Sequence, residues 1–91
     1  MVSKKYGTMR IVNINLEFQD MPSIYDTEVR EIVAAIKQGK KMPPILVSKE
    51  GYLQNGRHRL MAYKILGYKK IDVEYGYHPA AKVIKQVKNG T

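Results

Sequence analysis

The stretch Tyr52-Leu53-Gln54-Asn55-Gly56-Arg57-His58-Arg59-Leu60-Met61-Ala62 decides how this chain is read. It runs from a short strand into Asn55-Gly56, a pair that breaks a strand, and then into a helix opening on three basic residues. That is the wrong helix end for cations. A helix N-terminus carries about half a positive charge, and each misplaced cation costs about 0.3–1 kcal/mol. Glycine and free backbone N–H groups at the same place form a cradle for an anion. Arg57 and Arg59 can each grip phosphate oxygens through paired N–H groups, so a phosphate would turn the penalty into attraction. Asn55, Gly56, Arg57, His58 and Arg59 are therefore the candidate phosphate-binding residues. A plainer reading stands beside it: the guanidinium groups splay into water or pair with Glu17, Asp20 or Glu74, and His58 is a packed or capping side chain.

Downstream, Leu60, Met61, Ala62, Ile65 and Leu66 give the second helix a broad apolar face over about 57–66, and Gly67 ends it. Ile71-Asp72-Val73-Glu74-Tyr75 alternates as a half-exposed strand, and Pro79 opens a third helix over about 79–88. Upstream, Pro43-Pro44 precedes a buried strand at Ile45-Leu46-Val47-Ser48, and Lys49-Glu50-Gly51 turns the chain into Tyr52-Leu53-Gln54. Val29, Ile32, Val33 and Ile36 form one stripe of a first helix, capped by Asp26 or Thr27 and stopped by Gly39. The β-branched run from Met9 to Leu16 predicts the first strand, behind a loose basic leader at 1–9. The expected order is β-α-β-β-α-β-α: one α+β domain over 1–91, core about 9–77, with a small mixed sheet and three helices.

Ninety-one residues leave no room for a second domain, and by surface scaling such a chain buries roughly two-thirds of its unfolded surface. With 44% hydrophobic and 26% charged residues the composition is that of a globular protein. The absence of cysteine removes disulfide scaffolds, thiol nucleophiles and cysteine-based metal sites, and two histidines, His58 and His78, are weak material for a metal centre. No metal site is expected. No apolar run approaches the ~20 residues of a membrane span, and no apolar segment follows the basic N-terminus as a signal peptide requires. A cytoplasmic protein without membrane attachment is the expectation.

Sixteen Lys and Arg against eight Asp and Glu give a net charge of +8, which favours polyanionic partners, nucleotide or DNA. Gly51 to Ile71 holds Arg57, Arg59, Lys64, Lys69 and Lys70 with no acid, and the last helix sets Lys82, Lys85 and Lys88 along one face. Lys64, Lys69, Lys70, Lys82, Lys85 and Lys88 are the candidate nucleic-acid contacts, though a lysine stripe is also what a solvated helix face looks like. The seven tyrosines offer faces for base stacking, or simply pack at the core edge. Glu17 and Asp20, with His58, are the candidate catalytic residues, acting as a general base or through Mg²⁺-bound water; loop acids are otherwise merely solvated. No P-loop, dinucleotide fingerprint or Cys/His zinc pattern is present.

With these residues in place, the run from about Met9 to Tyr77 resembles the N-terminal domain of the ParB/sulfiredoxin superfamily. The likeness rests on the leading strand, the helix at Thr27–Ile36, Pro44-Ile45-Leu46-Val47, and Asn55-Gly56-Arg57-His58-Arg59-Leu60-Met61-Ala62 followed by Leu66-Gly67 and Ile71-Asp72-Val73-Glu74. Gly56, Arg59 and Ala62 match the family's G-x-x-R-x-x-A box in full. The resemblance implies nucleotide phosphates held by Gly56, Arg57, His58 and Arg59, with a nucleoside triphosphate and Mg²⁺ as the ligand. Family members include CTP-dependent partition proteins, ATP-using sulfiredoxins, a free-amino-acid kinase and domains labelled as nucleases. Arg57 stands where sulfiredoxin has its reactive cysteine, which removes sulfinic acid repair. The helix-turn-helix and dimerisation domains of partition proteins are not part of these residues, and the family's Pro-x-Gln-x-Arg segment is matched only loosely by Glu17-Phe18-Gln19-Asp20. The expectation is phosphate binding, with NTP hydrolysis or phosphoryl transfer as a further step. The alternatives are a non-catalytic DNA-binding or protein-interaction module and, behind it, a ParB-like nuclease.

Overall fold

A strand at Lys70–Gly76 (β4) is the one about which the sheet is built; the computed structural model describes residues 5–17 and 19–76. Its alternation holds: Ile71 and Val73 are buried and Asp72 is exposed. On one side it pairs antiparallel with β1 (Lys5–Arg10), on the other parallel with β2 (Ile45–Ser48). β2 pairs in turn with β3 (Leu53–Asn55), giving the sheet order β1-β4-β2-β3. The β2–β3 connection tightens at Gly51, whose φ of +89° suits glycine, and Ser48, fully buried, accepts from the Tyr52 N–H at 3.1 Å.

Two helices complete the described fold, α1 (Thr27–Lys37) and α2 (Arg57–Ile65). The three-helix order is not borne out among the described residues; the helix expected over 79–88, with Lys82, Lys85 and Lys88, lies outside them. Leu60 of α2 joins Ile45, Val47, Leu53, Ile71 and Val73 in one buried cluster, and α1 packs against α2 with Val29 and Ile32 buried. Each such aliphatic side chain contributes about 1.5–3 kcal/mol on burial.

Both helices stop in the same way. Gly39 (φ +85°) and Gly67 (φ +82°) follow the C-caps Gln38 and Leu66 in the left-handed region. Their N–H groups, and those of Lys40 and Tyr68, return to carbonyls of the last turn at 3.0–3.1 Å. The helix starts differ. Asp26 caps α1, its Oδ1 accepting from the Val29 N–H at 3.1 Å, while nothing caps α2 through a side chain. Replacing Asp26 with alanine is expected to lower stability by about 1–2 kcal/mol in urea unfolding, with Asp26→Asn losing less because it keeps a capping oxygen.

The first strand is displaced from its expected place. The pairing of β1 with β4 ends at Arg10↔Lys70; the Ile11 N–H still donates to the Lys69 carbonyl at 2.9 Å, and Ile11–Asn13 then forms a 3₁₀ turn closed by the Ile14 N–H on the Ile11 carbonyl at 3.1 Å. The β-branched run signals burial more than pairing: Ile11, Ile14 and Leu16 pack against the core after the ladder with β4 has ended. Only Asn15 makes a bridge, to Tyr52. The residues read as a leader supply the edge strand instead, from Lys5 onward.

Candidate phosphate site at the start of α2

Asn55 ends β3, Gly56 turns with φ +110° and ψ 28°, and α2 begins at Arg57. The first bond of this helix runs from the Leu60 N–H to the Gly56 carbonyl at 2.8 Å. The N–H groups of Arg57, His58 and Arg59 precede it and find no acceptor within the helix. They border a cleft of about 430 Å³ whose walls are Asn55–Arg59 and Gln54 on one side and Gln19, Glu28, Ile32, Met42 and Pro43 on the other.

All five candidate phosphate residues line this cleft. Arg57 Nη1 donates to the Asp20 carbonyl at 2.8 Å, and Arg59 Nη1 donates to the Pro43 carbonyl at 3.3 Å. Both bonds go to backbone carbonyls rather than to carboxylates, and each guanidinium has donors to spare. That arrangement favours an anion at this corner over internal neutralisation of the two arginines. Arg59 lies back over the turn, with its Nη2 3.1 Å from where a β-carbon on Gly56 would stand.

His58 reaches across to the start of α1, its Nε2 3.6 Å from Asp26 Oδ2 and its Nδ1 3.5 Å from Glu28 Oε2. The ring thus ties the two helix starts together, and its nitrogens face carboxylates on opposite sides. Among the described residues, no group of three or more His, Asp or Glu side chains is arranged to hold a metal ion. Of the candidate catalytic acids, Asp20 is exposed and joins the site through its backbone carbonyl, while Glu17 stands at φ +56° with its N–H on Asn15 Oδ1 at 2.8 Å. Neither lines the cleft. Lys64, Lys69 and Lys70 are exposed and away from it.

The opposite wall has little signature in the sequence. Gln19 is fixed by donation to the Leu53 carbonyl at 2.6 Å, and Met42 and Pro43 arrive on the segment entering β2. The Gln54 amide is the one buried side-chain polar group without a partner among the described residues, its Nε2 unsatisfied. Pro43-Pro44 is the only local signal for that wall, as a break in the chain rather than as a site.

A four-stranded mixed sheet with a glycine-basic turn opening its second helix defines a small α+β architecture of the ParB-N kind. The chain belongs to the ParB N-terminal domain family, whose model matches residues 2–89. Two solved structures share the fold. One, described as the C2221 form of a Pnob8-like ParB-N domain, superposes with a TM-score of 0.69 at 16% identity over 93% of this chain. The other, a pNOB8-like ParB N-domain, gives 0.62 at 19% identity over 82%. This chain spans about a third of the length of each, 36% and 29%. No curated protein matches it in sequence. No helix among the described residues is long and apolar enough to cross a membrane.

Proposed function

We propose that this domain binds the phosphates of a nucleotide in the cleft at the start of α2. The observation that carries the reading is the contrast between the two helix starts. α1 has a capping aspartate and Glu28 in its first turn; α2 has no side-chain cap and Arg57, His58 and Arg59 in its own. The same half positive charge is answered at one end and aggravated at the other, and an anionic ligand resolves the second case. The N–H groups of Arg57 to Arg59 donate to the phosphate oxygens, and the Arg57 and Arg59 side chains clamp them. Asn55 closes the rim. His58, held by Asp26 and Glu28, keeps the α1 side of the cleft in register. A nucleoside triphosphate with Mg²⁺ suits this charge, the metal travelling with the phosphates.

Binding is the step that the geometry supports best. Hydrolysis or phosphoryl transfer is the step beyond it, with the two arginines neutralising developing charge; Glu17 and Asp20, which do not line the cleft, would have to move to orient an attacking group. A melting-temperature panel of ATP, CTP, GTP, ADP and inorganic phosphate, with and without Mg²⁺, tests the reading. A ligand at a hundred times its Kd stabilises by about 2.7 kcal/mol. At this size that is a rise of roughly 10–20 °C. A triphosphate raising the melting temperature well above phosphate alone supports the proposal, and a flat panel contradicts it.

A further inference from the structure

A second cleft, of about 310 Å³, lies where the last turn of α2 meets the end of the β1–β4 ribbon. Its walls are Arg10, Ile11, Val12, Lys64, Gly67, Tyr68 and Lys69, three of them cationic and none acidic. It shares no residue with the cleft at Gly56. Helix chemistry explains part of that charge, since a C-terminus carries about half a negative charge that Lys64 and Lys69 answer. It does not explain the rest. Arg10 lies directly across the sheet from Lys70, a like-charge pair that destabilises an antiparallel ladder, and Asp72, two residues along the same face, is the nearest acid on that strand. Three cations line the cleft, and a fourth, Lys70, stands opposite Arg10 on the sheet.

The second observation is apolar. Tyr68 is 48% exposed and Val12 81% exposed at this cleft. The Tyr68 ring is held by Tyr63, with centroids 5.0 Å apart and planes at 62°, and its backbone N–H is fixed on the Tyr63 carbonyl at 3.0 Å. Burial, Tyr68 and Asp72 push the Tyr63 phenol above the ordinary tyrosine value, against an opposing Arg59, so this support stays neutral at working pH. A pre-positioned aromatic face beside a cationic groove is the arrangement that receives unstacked bases and their phosphates. Bases inside a duplex are already stacked and do not offer that face.

We propose that this cleft is a separate binding site for single-stranded nucleic acid, with phosphates on Arg10, Lys64 and Lys69 and a base stacked on Tyr68. It stands independently of nucleotide binding at Gly56. The test is fluorescence anisotropy of a labelled single-stranded oligonucleotide against the intact chain across a salt series. Tyr68→Leu, which keeps the apolar contact with Tyr63 but removes the π-face, is expected to weaken binding about tenfold, and Tyr68→Phe to retain it. The double reversal Lys64→Glu/Lys69→Glu is expected to flatten the log–log salt slope by about 1.4, the change for two single-strand phosphates that the protein no longer neutralises. Lys40→Glu/Lys49→Glu, an equal change of charge at exposed lysines elsewhere, controls for bulk attraction. The proposal is overturned if the control pair weakens binding as much as Lys64→Glu/Lys69→Glu, if Tyr68→Leu binds like the parent, or if a duplex of the same sequence binds more tightly than the single strand.

Discussion

Gly56→Ala is expected to destabilise the domain by about 2–5 kcal/mol, the largest effect of any single methyl group added to this chain. Two causes combine. At φ +110° an L side chain is strained by about 1–2 kcal/mol. The new β-carbon would also stand 2.7 Å from Ile45 Cγ2 and 3.0 Å from Ile45 Cβ, a side chain that is itself fully buried and cannot step aside. Overpacking of that kind costs about 1–3 kcal/mol. Gly39→Ala separates the two causes, because Gly39 has φ +85° but nothing within 4 Å of an added β-carbon. At roughly 4–8 °C per kcal/mol for a domain of this size, the Gly56 variant should melt about 8–40 °C below the parent. The Gly39 variant should fall by about 5–15 °C, from backbone strain alone. Equal melting temperatures for the two variants would mean that the approach of Ile45 to the turn is not what reserves position 56 for glycine.

The second large effect is on binding. Arg59→Ala is expected to weaken nucleotide affinity by about 10- to 100-fold, the range for a charge-assisted hydrogen bond removed from a phosphate. Stability should barely change, since the hydrogen bond that Arg59 makes within the protein is a 3.3 Å contact with the Pro43 carbonyl. Arg59→Lys should recover only part of the loss, because an ammonium group acts as a point charge without the planar fork. Isothermal titration of the three proteins with one triphosphate decides it. An alanine variant that binds like the parent would remove Arg59 from the site.

The local half of this architecture is legible in the sequence. Helix limits can be read because each stop is a property of one residue: Gly39 and Gly67 take left-handed conformations open to few other side chains. The charge conflict at the start of α2 can be read for a similar reason, since an uncapped glycine start followed by Arg57, His58 and Arg59 is visible in a few consecutive letters. Long-range contacts cannot. Nothing near His58 announces Asp26 and Glu28, which are 32 and 30 positions away and meet it only when α1 packs on α2. The first strand falls outside its expected place because apolar β-branched residues report burial, whereas pairing depends on where the neighbouring edge runs out, here at Lys70. Asp20 attracts notice as a carboxylate, yet its link to the site is the backbone carbonyl that receives Arg57, a contact with no side-chain signature.

The central claim is that the start of α2 is an anion site, and the amide resonances of that turn report on it directly. In a ¹H–¹⁵N correlation titration with a nucleoside triphosphate and Mg²⁺, the N–H signals of Gly56, Arg57, His58 and Arg59 should move furthest and saturate together. If those four stay in place while the protein binds the ligand elsewhere, or if no concentration of triphosphate shifts them, the account is contradicted.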